Sequence, residues 1–258
     1  MAQEGGRAPR TVARLTRNQR AQHWLLLTSF VVLVLSGFAL VYPDAMLAVG
    51  LGVTEATRRL VHRVAAGLMI VVGVYHLVYL FTTAEGRAWL RDMRPVKQDA
   101  RDVLRFFRHH LTGRGPRPKF RRFGYAEKAE YWAVVWGTLV MGLTGLLIWF
   151  KVGWFSFLPR WWVDIATAVH FYEAVLATLA IVVWHFYHVV FDPDVYPLNF
   201  AFYDGRVAEA LYREEHELDY ERMKEEEARR RQDEQADADE TPPGLGGGNA
   251  PLPGHTGG

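Results

Sequence analysis

Four stretches of the chain are apolar over about the length needed to cross a bilayer, and strongly charged segments separate them. They run over residues 24–42, 61–81, 131–150 and 165–191. Each reaches the ~20 apolar residues that span a ~30 Å hydrocarbon core as an α-helix. In lipid a backbone must satisfy its own N–H and C=O groups, so the pattern predicts helices rather than open strands. The predicted fold is all-α, an integral membrane four-helix bundle.

Lys and Arg set the expected orientation. Arg7, Arg10, Arg14, Arg17 and Arg20 precede the first span. The connection between spans two and three is densest, from Arg87 through Arg101, Arg105, Arg108, Arg114 and Arg117 to Lys128. The other two connections carry only Arg58 and Arg59, and Lys151 and Arg160. Both termini and the central loop are therefore expected on the cytoplasmic side of a cell inner membrane. The division is a cytoplasmic N-terminal segment 1–22, a transmembrane domain 23–191 and a cytoplasmic charged helix with a disordered tail, 192–258. Within that tail, 205–235 reads as a solvated helix bearing His216, and disorder is expected from Asp237. His255, in the tail, and His109 and His110, in the basic loop, receive no ligand role.

Composition narrows the chemistry. There is no cysteine. That removes disulfides, thiolate iron–sulfur ligation and covalent haem attachment. The net charge of +2 is segregated along the chain. Positive charge beside spans follows from orientation or anionic lipid, so no nucleic-acid partner is expected. No cleavable signal peptide is expected, because the polar N-terminus runs straight into a full-length span. Trp154, Trp161 and Trp162 fit an interfacial aromatic belt.

Six histidines lie inside or at the ends of the spans: His23, His62, His76, His170, His185 and His188. Ionisable groups in a bilayer are costly and mark function by default. Neutral imidazole is a common axial ligand of haem iron. A lone histidine can instead hydrogen-bond a neighbouring carbonyl. Depth favours the ligand reading. His76 lies ~21 Å along the helix from His62, and His185 lies ~22 Å from His170. This gives an outer pair, His62 with His170, and an inner cluster of His23, His76, His185 and His188. The spans are thus expected to hold haems between helices. Gly37, Gly67, Gly73, Gly137, Gly142 and Gly145 allow close approach of helices or of a flat macrocycle. Arg63 either pairs with a haem propionate or snorkels. Glu173, inside span four, needs a partner or a protonation role.

These residues resemble the bacterial di-haem cytochrome b family, which includes the gamma subunit of formate dehydrogenase and the cytochrome b subunit of nickel–iron hydrogenase. The resemblance covers roughly 14–191. It rests on Arg20-Ala21-Gln22-His23-Trp24, Ser36-Gly37-Phe38, His62, Thr144-Gly145, His170 and His185-Phe186-Tyr187. It implies two b haems, the outer on His62 and His170 and the inner on His23 and His185, with a quinone (menaquinone or ubiquinone) beside the inner one. Two departures stand out. His76 has no counterpart in that ligand set, and fifteen positions rather than fourteen separate His170 from His185. The paired spacing also resembles cytochrome b of the quinol-oxidising bc complexes, where His76 would pair with His185. The inner haem's second ligand is open between His23 and His76. The expected function is that of an electron-transfer subunit of an oxidoreductase complex. It would link a quinone pool to a partner that is a catalytic, multihaem or iron–sulfur subunit. A non-redox membrane anchor and a transporter are the rival classes. The segment from Phe191-Asp192-Pro193-Asp194 onward is expected to dock a partner.

Overall fold

The computed structural model describes residues 10–44, 53–113, 119–151, 153–193 and 195–240, and for 110 and 238–240 the backbone alone. Arg7, Arg114, Arg117, Asp194, His255 and the tail from 241 lie outside the described residues.

Four long helices form the bundle. They are α1 (Arg17–Val41) and α2 (Glu55–Thr82), then α5 (Tyr125–Trp149) and α6 (Arg160–Leu179). The last continues as π-helical turns over Ala180–His185 and Tyr187–Phe191. All four are long and apolar enough to cross a membrane. α1 packs on α2 and α5 on α6, giving two hairpins that touch through α2 and α5. Small residues sit at these contacts. Ser29 is 1 % exposed and returns its hydroxyl to the Leu25 carbonyl at 2.8 Å. Large apolar side chains such as Val64, Val71, Leu143 and Val183 point outward, as they do where the solvent is lipid.

The helices begin before the apolar stretches do. Thr16 accepts the Gln19 N–H while the Gln19 side chain accepts the Thr16 N–H, a capping box that starts α1 at Arg17. Asn18, Gln19, Gln22 and His23 therefore ride on the first turns of α1.

The central connection is not a loop. It folds into α3 (Ala84–Met93) and α4 (Lys97–Thr112). Beyond the spans come α7 (Ala201–Asp204), α8 (Glu209–Glu215) and α9 (Glu217–Glu240). α9 runs past Asp237, where the sequence pattern suggests disorder, because its Glu-Arg-rich composition favours helix to Glu240.

The two ends of the chain meet in a clasp. β1 (Thr11–Ala13) pairs antiparallel with β2 (Arg206–Ala208), with Thr11 opposite Ala208. Gly205, at φ 79°, turns the chain so that its carbonyl accepts the Arg14 and Leu15 N–H groups at 2.8 and 3.2 Å. Arg14 is partly buried between the Phe123 and Tyr212 rings and pairs with Glu127 on the first turn of α5. His216, expected to be solvated, is instead 6 % exposed. Its Nδ1 donates to the Arg121 carbonyl at 2.8 Å, a contact between distant segments that local charge pattern does not reveal.

Candidate histidine sites between the hairpins

Near the interhelical turns, His62 of α2 and His170 of α6 face each other with ring centroids 6.4 Å apart. Their surroundings are the same. The Ser36 hydroxyl donates to the Val32 carbonyl at 2.6 Å and lies 3.0 Å from His62 Nδ1. The Thr144 hydroxyl donates to the Val140 carbonyl at 2.7 Å and lies 2.8 Å from His170 Nδ1. Each hydroxyl proton is thus committed to the preceding turn, and its lone pair accepts Nδ1–H. The hydrogen-bond network assigns both rings the tautomer with a bare Nε2. A glycine follows each hydroxyl residue. A Cβ on Gly37 would meet His62 Cε1 at 3.3 Å, and one on Gly145 would meet His170 Cε1 at 3.1 Å. We call this the tip site.

At the opposite level lies the base site. His76 Nδ1 donates to Gln22 Oε1 at 2.7 Å, and the Tyr131 hydroxyl is 3.0 Å from His76 Nε2. Gln22 is held in turn by Asn18 at 2.5 Å, and Asn18 by the Tyr75 hydroxyl at 2.6 Å. Both ring nitrogens of His76 are therefore engaged by side chains. His185 differs. Its Nδ1 meets the Glu130 carboxylate at 3.1 Å, which leaves Nε2 for another group. His23 lies close enough to His185 for their charges to interact, and its Nδ1 is buried without a partner among the described residues. Phe202 of α7 packs against His23 and Trp24, with ring centroids 6.1 and 5.4 Å away.

The two hairpins repeat one another. An offset of 108 residues carries Ser36, Gly37 and His62 onto Thr144, Gly145 and His170, and Gln22 and His23 onto Glu130 and Tyr131. His76 would map to Trp184, yet the ring that contacts Glu130 is His185, one residue further. The π-helical turn over Ala180–His185 absorbs that residue, since a π-turn holds one more residue than an α-turn. This explains why fifteen positions separate His170 from His185 where His62 and His76 are fourteen apart.

The remaining singled-out residues are not brought to either pair. His188 packs on the Trp184 and Tyr187 rings at 5.1 and 5.2 Å. The Arg63 guanidinium lies over the Trp149 ring at 5.1 Å. Glu173 Oε1 sits 3.2 Å from the Cβ position of Gly137, so a side chain there would make the Glu173 carboxylate shift slightly. Glu130 and Tyr131 escape the sequence reading, although the 108-residue offset from Gln22 and His23 points to them. Ser36 and Thr144 are visible in the sequence as part of the resemblance, but their role as histidine partners is not.

Among the described residues no group of three or more metal-ligating side chains gathers. The sites offer imidazole pairs instead, which is the donor set of a haem with two axial histidines. The tip site fits that group: the two ring centroids lie 6.4 Å apart with Nδ1 engaged and Nε2 bare in each, and glycines leave the flanks free of Cβ atoms. Metal–imidazole bonds of about 2 Å on each side, with about 1 Å more to each ring centre, bring two ring centroids to about 6 Å. The base site fits through the orphaned His23 nitrogen and the Nε2 that Glu130 leaves available on His185.

A family model described as prokaryotic cytochrome b561 matches residues 14–196. No curated protein matches the chain.

Proposed function

Because the chain belongs to the prokaryotic cytochrome b561 family, we propose that it is a two-haem electron carrier linking a quinone pool to a redox partner. Family and spans make it a membrane b-type cytochrome of electron transfer. The finer reading is carried by one observation: His62 and His170 face each other with Nδ1 held and Nε2 bare in both. Haem, when bound, supplies a one-electron carrier at each level. His62 and His170 would hold one, and their hydroxyl partners would keep both rings oriented and neutral, as outer-shell groups do at metal sites.

For the base haem we assign His23 with His185. The buried Nδ1 of His23, unpartnered among the described residues, supports the pair, which breaks the repeat, since the repeat makes His185 the counterpart of His76. The alternative, His76 with His185, would require His76 to give up the Tyr131 hydroxyl. His76 and Tyr131 instead form a hydrogen-bonded pair beside the haem. Quinone reduction to quinol takes two protons with its two electrons, and the Tyr131 hydroxyl, backed by a neutral His76, is placed to exchange one. The quinone, menaquinone or ubiquinone, is therefore assigned to the base level. Arginine distribution supports a cytoplasmic position for that level and for both termini, with the tip toward the other face. Residues 23–191 form the cytochrome domain in this reading, flanked by the segments 1–22 and 192–258. The partner is a catalytic, multihaem or iron–sulfur subunit that docks outside the spans.

Purified protein should show two low-spin b haems. His62→Ala and His170→Ala should each remove the same spectral component and spare the other. Loss of different components from the two variants would break the tip pairing. A folded, colourless preparation from haem-replete cells would end the reading.

A further inference from the structure

α4 carries a feature that the haem sites do not use. One face is anchored to the bundle. Asp102 is 5 % exposed, Phe106 packs on Tyr125 with ring centroids 6.0 Å apart, and Asp99 accepts Lys128 at 2.9 Å. The opposite side is open. Leu104, Phe107 and Leu111 are 70, 55 and 80 % exposed. At about 100° per residue they fall within an arc of about 60°. Beside them, within a further arc of about 80°, lie Lys97, Arg101, Arg105 and Arg108. Arg105 reaches Asp102 at 3.4 Å, whereas Arg101 and Arg108 make no ion pair among the described residues.

An apolar strip flanked by cations on a helix of 16 residues is the pattern of a helix lying in a membrane surface. Position supplies the occupant. Tyr125 and Lys128, which hold α4, belong to the first turn of the α5 span. α4 is thus fastened where a span enters the bilayer, at the level of lipid headgroups. Three large side chains left in water there would be costly, while burial in the acyl boundary is favourable. Arginines near anionic headgroups add electrostatic attraction to that burial.

We propose that α4 lies in the membrane surface, with Leu104, Phe107 and Leu111 in the acyl boundary and Arg101, Arg105 and Arg108 on anionic lipid phosphates. The face is lipid-bound rather than covered by a second copy or by a partner protein.

The absence of cysteine makes the test direct. Full-length Leu104→Cys and Leu111→Cys are spin-labelled and placed in nanodiscs with and without phosphatidylglycerol. Glu225→Cys, on α9, is the water-exposed reference. Labels at 104 and 111 should be accessible to oxygen and protected from a water-soluble nickel chelate, with a ratio several-fold above the reference. Protection should deepen with phosphatidylglycerol, and Arg101→Glu with Arg108→Glu should remove that increment. Chelate access at 104 and 111 equal to the reference overturns the proposal. So does label–label broadening between copies, which would mean a self-interface. Indifference to phosphatidylglycerol overturns the headgroup part. Two label positions keep the result readable if one variant folds poorly.

Discussion

The tip and base sites are built from the same repeated hairpin, yet only the tip keeps the repeat's symmetry. There His62 and His170 meet the same chemistry, a hydroxyl on Nδ1 and a glycine against Cε1. At the base, Gln22 faces His76 where Glu130 faces His185, and Tyr131 replaces His23. Symmetry suits a site that only holds a cofactor between two equal ligands. Its loss introduces groups that move protons: a carboxylate, a phenol and a third imidazole. In the proposed reading substrate chemistry belongs to the base site, because electron transfer alone does not require its extra polar groups.

The strongest loss is expected at the asymmetric base site. His23→Ala should abolish the base haem, seen as loss of one of two spectral components. His76→Ala should retain that haem and weaken its response to quinone-analogue inhibitors. The opposite result, loss with His76→Ala and retention with His23→Ala, would make the base site a second symmetric pair.

Spans and histidines are legible in the sequence because lipid demands long apolar runs and penalises ionisable groups within them. The sites' second layer is much less so. Ser36 and Thr144 repeat in chemistry but not in identity, and the π-turn shifts the second hairpin by one residue after His170. The clasp is also hidden. β1 and β2 are three residues each, and their pairing spans about three quarters of the chain. His216 reads as surface from its charged neighbours, yet it caps α8 against the Tyr212 ring and is covered by Arg121 and Glu127 from distant segments. α3 and α4 escape because polar helices at a membrane surface carry the same basic composition as an orienting loop.

Two tip-site changes should follow in size. Gly145→Val places branched carbon where even a Cβ would lie 3.1 Å from His170 Cε1, so the ring must move. Most of the tip haem should be lost, while Gly67→Ala, with nothing within 4 Å of its Cβ position, should leave both haems. Next, Ser36→Ala or Thr144→Val removes the acceptor for Nδ1–H. Loss of such a partner typically costs 10–100-fold in metal-site affinity or activity. Haem titration of the apoprotein should show similar losses for the two variants, since the sites are equivalent. A loss confined to one of them would mean that the tip is less symmetric than its geometry.

The smallest effect concerns acid and should touch only the base. Burial, the Arg14 guanidinium next in weight, holds the His216 pKa below 6.5, against opposing pulls from Glu127, the Arg121 carbonyl and Asp219. A histidine with a depressed folded pKa binds its proton more readily when unfolded. The clasp is therefore fully stable above about pH 6.5 and loses stability as pH falls below that value. Arg14 and Glu127 tie the clasp to the first turn of α5, three residues before Glu130. Mild acid should speed proteolysis between α8 and α9 and shift the base haem's spectrum, with the tip haem unchanged. His216→Gln, which cannot take the proton, should flatten the pH dependence of both readouts. If the tip haem shifts in parallel, acid is acting on the whole bundle rather than through the clasp, and the separation of the two sites at this end fails.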